Sequence, residues 1–112
     1  MALSTNGTVA ELLSAKTTTG TGSTYLNNGD DSKFYQATVS GTGAVSATVK
    51  VWGANSDVNS DNTKAVLLGT ITLSGTTNAS DGFYSFAGWP CVFGEVTAIT
   101  GTGAAVTLTQ RN

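Results

Sequence analysis

Short segments in which hydrophobic and polar residues alternate run along the whole chain, separated by clusters of Gly, Asn, Asp and Ser. A side-chain period of two, with many Val and Thr residues, is typical of half-buried antiparallel strands. About eight such segments predict one all-β domain over residues 1–112, an antiparallel β-sandwich that is jelly-roll-like. The segments are 34–39, 48–52, 67–73, 92–99 and 105–109, with weaker ones at 9–16, 22–27 and 82–86.

Alternation also predicts which side chains face the core. Val49 and Val51 share one face, opposite Lys50 and Trp52. In the next segment the inward residues are Leu67, Ile71 and Leu73, with Leu68, Thr70 and Thr72 opposite.

Residues 9–16 fit two patterns. Val9, Leu12, Leu13 and Lys16 have helical spacing, and Thr8 with Glu11 matches a helix capping box. A preceding Gly7 and three following Thr residues favour a strand instead. Either outcome leaves the all-β class unchanged, and residues 1–8 are expected to form a flexible N-terminal arm.

A short internal echo links two parts of the chain. The segment 39–44 (VSGTGA) recurs as 99–104 (ITGTGA), in each case between two predicted strands. Glycine supplies the positive φ angles of tight turns, so the echo predicts two equivalent hairpins. It is not a phosphate-binding loop, because a third Gly, a Lys-Ser/Thr pair and a following helix are missing.

Charged residues are unusually few, 11% of the chain against roughly 25% in soluble domains. Four Lys and one Arg form no basic stripe, which argues against nucleic-acid binding. The polar surface must come from 20 Thr, 11 Ser and 8 Asn residues. With neither a signal-peptide pattern nor an apolar run of about 20 residues, we expect a soluble protein that does not bind membranes and is cytoplasmic when made.

The residue types that carry most chemistry are scarce. Without His there is no imidazole base or ligand, and most of the seven acidic residues lie in Gly/Asn/Ser loops, so we expect no catalytic residues, no cofactor and no enzyme activity. The loop 57–62 (DVNSDN) places Asp, Asn and Asp as a calcium loop does. It lacks the Gly at position six and the closing Glu at position twelve, so we interpret it as a polar connection and expect no metal site. The lone Cys91 lies in an apolar run and is expected to be a small buried residue.

The most informative cluster is aromatic. Five of the nine aromatic residues lie within eleven positions, and strict alternation cannot bury them all on one face of a strand. Either both faces of this strand are covered, or some of the rings face a partner. At protein interfaces, large aromatic side chains carry much of the binding energy. Trp89-Pro90 is expected to mark a bend or a sheet edge. The candidate interface residues are Phe83, Tyr84, Phe86, Trp89 and Phe93.

Three long runs of the chain resemble small virion proteins of tailed bacteriophages: FYQATVSGTGAVSATVKVWGANSD, AVLLGTITLSGTTNASDGF and GWPCVFGEVTAITGTGAAVTLT. The likeness spans nearly the whole chain and is greatest for capsid decoration (cement or staple) proteins of short-tailed phages. The chain departs from these relatives at Cys91 and Phe93, and no binding residue carries over. The resemblance implies a jelly-roll-like protein on the outer surface of the virion.

Our hypothesis is therefore a decoration protein that clamps neighbouring subunits of the major capsid protein and stabilises the capsid. Symmetric shells favour a homo-oligomer, a dimer or a trimer. The alternative is a tail or fibre module that binds host carbohydrate, with Trp89 or Tyr84 stacked on a sugar.

Overall fold

The strands form one antiparallel sheet in a computed structural model that describes residues 9–27, 32–86 and 88–111. Its order is β1-β6-β4-β5, and β2 and β3 also pair with β6. The predicted all-β, antiparallel single domain is confirmed. The strands are β1 (Ala10–Lys16), β2 (Gly20–Thr21), β3 (Tyr25–Leu26), β4 (Lys33–Ala54), β5 (Val66–Ser85) and β6 (Cys91–Arg111), with a 3-10 turn at Asn62–Lys64.

Three of the strands are too long to run straight. A straight strand of the 22 residues in β4 would span roughly 70 Å, but the longest dimension of the molecule is 40 Å. β4, β5 and β6 each bend near the middle, where the pairing register shifts around Ser40–Ala44 and Thr102. The bends divide the sheet into a first layer (33–40, 79–85, 105–111 and β1) and a second layer (45–54, 66–74, 91–99, β2 and β3).

The bends explain why there are six strands instead of about eight. Six of the predicted segments join in pairs within β4, β5 and β6, and 22–27 contributes only the short β3. The prediction of two hairpins at 39–44 and 99–104 is wrong, because β4 and β6 continue through both segments. The two echoing segments instead lie side by side, paired at Thr42 and Thr102. Bulges and glycines bend a sheet at such corners, so one sheet supplies both layers of the sandwich.

Glycine permits the bends for two reasons. Gly43 and Gly103 have φ of +72° and +64°, in the left-handed region, although a Cβ at either would meet nothing within 4 Å. At Gly41 the limit is space, since a Cβ would lie 2.9 Å from both the Thr102 carbonyl oxygen and Val45 Cγ1. The repeated Gly-Thr-Gly thus supplies both the backbone conformation and the close approach of β4 to β6.

Across the sandwich, large side chains lie opposite glycines of their own strand. A Cβ on Gly69 would lie 2.6 Å from the Phe83 ring, and one on Gly94 would lie 2.5 Å from Leu108 Cδ2. In β5 and in β6, the two residues are 14 positions apart, one in each layer. Each strand therefore packs against itself, with a bulky side chain filling the space that glycine leaves.

The core lies between the two layers and follows the predicted alternation at most positions. Val49 and Val51 are fully buried, as predicted. Leu67 is a correction, since its side chain is 44% exposed while Leu68 packs against the core. A register shift at Val51–Trp52 leaves Leu68 unpaired and reverses the two leucines. The core residues are Leu12, Leu13, Tyr35, Ala37, Val39, Val45, Ala47, Val49, Val51, Ile71, Leu73, Val92, Val96, Ala104, Val106 and Leu108.

The structure agrees with the sequence-based expectations for β1, Cys91 and Trp89-Pro90. Residues 10–16 form strand β1, as favoured over a helix. Cys91 is buried, and Trp89-Pro90 lies at the turn between β5 and β6, as predicted. The proposed arm at 1–8 lies outside the described residues. None of the helices in the described part of the chain is long and apolar enough to cross a membrane.

Substitution of Gly103 tests the bend. Gly103→Ala should lower the free energy of unfolding by about 1–2 kcal/mol, because a Cβ disfavours left-handed backbone even where space is free. Urea denaturation would measure the change. The neighbouring exposed Thr102 is the control, and Thr102→Ala should stay within about 0.5 kcal/mol of wild type. Equal stabilities of the two variants would contradict this role of Gly103.

The contact between Gly69 and Phe83 is tested by a double-mutant cycle. Gly69→Ala should destabilise the protein by about 1–3 kcal/mol through overpacking against the ring. Phe83→Leu should relieve that clash, so the double variant should lose less stability than the sum of the single changes. The exposed Phe34 provides the matched comparison, since Gly69→Ala and Phe34→Leu should be additive. Additivity in the first cycle as well would disprove direct packing of Phe83 on Gly69.

Candidate binding interface

The five predicted interface residues have different environments. Tyr84 and Phe86 are 60% and 81% exposed, so both rings are available to a partner. Phe83 faces the core, with its ring centroid 5.2 Å from that of Tyr35. Trp89 also packs against the core, and Phe93 is fully buried.

An exposed aromatic cluster remains on the outer face of the first layer. Phe34 and Tyr84 are directly paired across β4 and β5, with ring centroids 5.8 Å apart. Phe86 follows β5, and its carbonyl oxygen accepts a hydrogen bond of 2.9 Å from the Ser32 hydroxyl. We call Phe34, Tyr84 and Phe86 the aromatic patch.

Phe34 was missed as an interface candidate by reasoning from the sequence. It lies about 50 positions from Tyr84, so the cluster at 83–93 gave no sign of it. The alternation did carry a signal, because placing Tyr35, Ala37 and Val39 inward places Phe34 outward. Its partner in the patch depends on the long-range pairing of β4 with β5.

The outer face of the second layer contrasts with this exposed patch. There Phe93 stacks on Trp52, with ring centroids 6.5 Å apart. The Glu95 carboxylate accepts hydrogen bonds from Trp52 Nε1 at 3.0 Å and from Asn62 Nδ2 at 3.2 Å. Asn62 belongs to the connection between β4 and β5, which therefore folds over this face. On this face Phe93 is fully buried, and the indole of Trp52 is held by Glu95, which the loop contacts through Asn62.

The acidic residues of this connection are engaged in local turns. Asp57 Oδ1 accepts a hydrogen bond from the Asn59 amide at 2.8 Å. Hydrogen bonds from the Thr63 hydroxyl and then from its amide hold the pKa of Asp61 below its usual value. No group of three His, Cys, Asp or Glu residues within 9–27, 32–86 and 88–111 could hold a metal ion.

An open polar cleft lies between this connection and the segment before β3. It has a volume of about 500 Å³, and Asp57 is the one carboxylate among its lining residues. Ser60 ties the two sides together, because its hydroxyl donates to the Gly22 carbonyl oxygen at 2.6 Å. The lining offers neither an aromatic platform nor a pair of carboxylates, the features used to stack or cleave a sugar.

A polar network joins the free ends of the strands. The Tyr35 hydroxyl donates to Gln110 Oε1 at 2.9 Å, and Gln110 Nε2 donates to Asn27 Oδ1 at 2.8 Å. Asn27 Nδ2 in turn donates to the Trp89 carbonyl oxygen at 2.7 Å. The Trp89 ring lies so close to Gly53 that a Cβ there would be 2.7 Å from it. Trp89 therefore closes the core at the strand ends.

The exposed large hydrophobic side chains are all near these free ends and far from the bends. In the described part of the chain there are eight such residues, at or beside the termini of β1, β3, β4 and β5. Around the bends, the exposed side chains are Ser, Thr, Asn and Ala. The eight are Val9, Tyr25, Leu26, Phe34, Val66, Leu67, Tyr84 and Phe86.

Comparison with protein-family models, with curated proteins and with solved structures found no match.

The network at the strand ends predicts a pH dependence of stability. Burial raises the pKa of Tyr35 from 10.0 to about 12. Above pH 10 the unfolded chain loses this proton while the folded protein keeps it, so the free energy of unfolding should fall between about pH 10 and pH 12. Tyr35→Phe removes the titrating group, and its stability should fall less over that interval than that of wild type.

Chemical denaturation at pH 8, 10, 11 and 12 would measure the difference. The lost hydrogen bond to Gln110 lowers the stability of Tyr35→Phe by an amount that is nearly constant with pH, so only the slopes are compared. Parallel curves for the two proteins would rule out linkage to Tyr35.

Proposed function

We propose that this protein is a phage capsid decoration protein, which binds the outer surface of the capsid and stabilises it by bridging neighbouring subunits of the major capsid protein. The observation that carries the proposal is the aromatic patch on an otherwise neutral, Thr-rich sheet. Phe34, Tyr84 and Phe86 are more than half exposed, whereas on the opposite outer face Phe93 is fully buried and Trp52 is hydrogen-bonded to Glu95. Exposed aromatic clusters of this kind supply anchors at protein interfaces.

The proposed partner follows from the resemblance to decoration proteins that we drew from the sequence. The runs that carry this resemblance lie mainly in β4, β5 and β6. A rigid β-sandwich suits this role, because it holds its anchors in place before binding and loses little conformational entropy.

The surface charge is compatible with binding to a symmetric shell. Many copies would lie near one another on the shell, and a formal net charge of −2 per chain gives weak repulsion between them. Each contact can be modest when one protein bridges several subunits, since binding to the second subunit becomes intramolecular.

The second candidate is a tail or fibre module that binds host carbohydrate, and it rests on the same exposed rings. The exposed Tyr84 ring is available to stack on a sugar, whereas the Trp89 ring packs closely against Gly53. Quantitative mass spectrometry of virions distinguishes the two functions. Hundreds of copies per particle support decoration, and a handful supports a tail module.

A binding experiment with capsids tests the proposed function. Expanded shells assembled without this protein are mixed with purified protein, and the bound fraction is measured by cosedimentation. Wild-type protein should bind and raise the temperature at which the shells break. Phe34→Ser combined with Tyr84→Ser should weaken binding by roughly tenfold or more, because two exposed anchors are lost without disturbing the core.

A matched double substitution serves as the control. Thr42→Ala with Thr102→Ala changes two exposed residues at the bend and should leave binding unchanged. Wild-type protein that fails to bind the shells would refute the decoration function. Normal binding of the Phe34/Tyr84 variant would refute docking through the aromatic patch.

A further inference from the structure

The sheet has two edges, and they differ in how they are protected. β1 is only seven residues long, and its pairing with β6 is interrupted by two register shifts. Ala15 has a φ of +45°, and the strand carries both Glu11 and Lys16. Short length, irregular backbone and charge are the means by which edge strands avoid pairing with another chain.

β5, at the opposite edge, lacks most of these protections. It runs for 20 residues and pairs with β4 along nearly its whole length. Its other side pairs with no strand in the part of the chain that the structure describes. The strand contains no Lys, Arg or Pro, and Asp81 is its one charged residue. Between Gly69 and Ser74, its outer row of amide and carbonyl groups therefore faces no strand of the described residues and can accept a further strand.

The half of β5 in the second layer is self-complementary. From Gly69 to Ser74, Ile71 and Leu73 are buried, while Thr70 and Thr72 are exposed on the outer face. A second copy can be related to the first by a two-fold axis perpendicular to the sheet. Residues that pair across this axis are an even number of positions apart in sequence. Each inward-facing residue therefore meets an inward-facing residue of the second copy. Thr likewise meets Thr or Ser, a favourable cross-strand pair.

Charge favours this half of β5 over the other half. The segment 66–74 has no charged residue, so antiparallel pairing with a second copy opposes no like charges. The half at 79–85 carries Asp81, which self-pairing would bring close to its equivalent. Val66 and Leu67, both exposed, lie at the end of the uncharged half.

We propose that two copies of this chain associate through the β5 edge, with Thr70–Ser74 of one paired antiparallel to the same segment of the other and Thr72 on the two-fold axis. The sheet then continues through both protomers in the order β1-β6-β4-β5-β5-β4-β6-β1. The interface is isologous, because the same segment supplies both sides. This inference does not depend on the proposed binding to capsids and is tested on the purified protein alone.

Introducing a charge at Thr72 tests the interface. Sedimentation velocity and light scattering should show wild-type protein as a dimer in concentration-dependent equilibrium with monomer. Thr72→Glu should weaken dimerisation by roughly tenfold, because like charges face each other across the axis, and Thr72→Lys should do the same. A mixture of the two variants should recover the dimer. Recovery on mixing also shows that both variants are folded.

Ser14 provides the control at the protected edge. It is exposed on β1, and Ser14→Glu should leave the dimer unchanged. Thr72→Cys should form an intermolecular disulfide under mild oxidation, whereas Ser14→Cys should not. A wild-type protein that is monomeric throughout the concentration series would overturn the proposal. So would a dimer that neither charge variant at Thr72 weakens.

Discussion

The packing of β5 and β6, each against its own other half, is the constraint on which the rest of this structure depends. Val and Ala dominate the core, and they fill little volume. The larger side chains Phe83 and Leu108 fit between the layers because Gly69 and Gly94 lie opposite them in the same strands. A bend at the middle of the strand is what brings these pairs together. Packing and bending therefore require each other, since the side chain fixes how closely the two halves approach.

The bends also determine where the surface is polar and where it is apolar. They turn both termini of β4, β5 and β6 toward one end of the sandwich, where Trp89 closes the core and the exposed hydrophobic residues gather. The bend itself is exposed and lined with Thr and Ser, and the β-branched Thr fits a pleated, half-exposed strand. The exposed hydrophobic side chains therefore lie at one end of the domain and the exposed polar side chains at the other, although the domain has few charged residues.

The sequence predicted individual strands well because alternation is a local property, readable within six or seven residues. It could not distinguish a hairpin from a bend at 39–44, because Gly-Thr-Gly provides the positive φ that both require. The distinguishing fact is non-local, namely that Thr42 pairs with Thr102. Phe34 was missed for the same reason, since it is distant from Tyr84 in sequence and meets it only through the pairing of β4 with β5. Phe93 was predicted at an interface, but it is fully buried beside Trp52, a neighbour on another strand that alternation within β6 does not reveal.

Dimerisation through β5 and binding through the aromatic patch are geometrically compatible. A two-fold axis perpendicular to the layers leaves each face of the sandwich on its own side, so both aromatic patches of a dimer point the same way. Phe34 and Tyr84 lie on the outer face of the first layer, whereas the paired segment Thr70–Ser74 lies in the second. The proposed dimer would therefore present two equivalent anchors to one surface, while the outer face of the second layer points away. Two anchors on a rigid sheet bind a lattice of repeated subunits more tightly than one, because the second contact forms at high effective concentration.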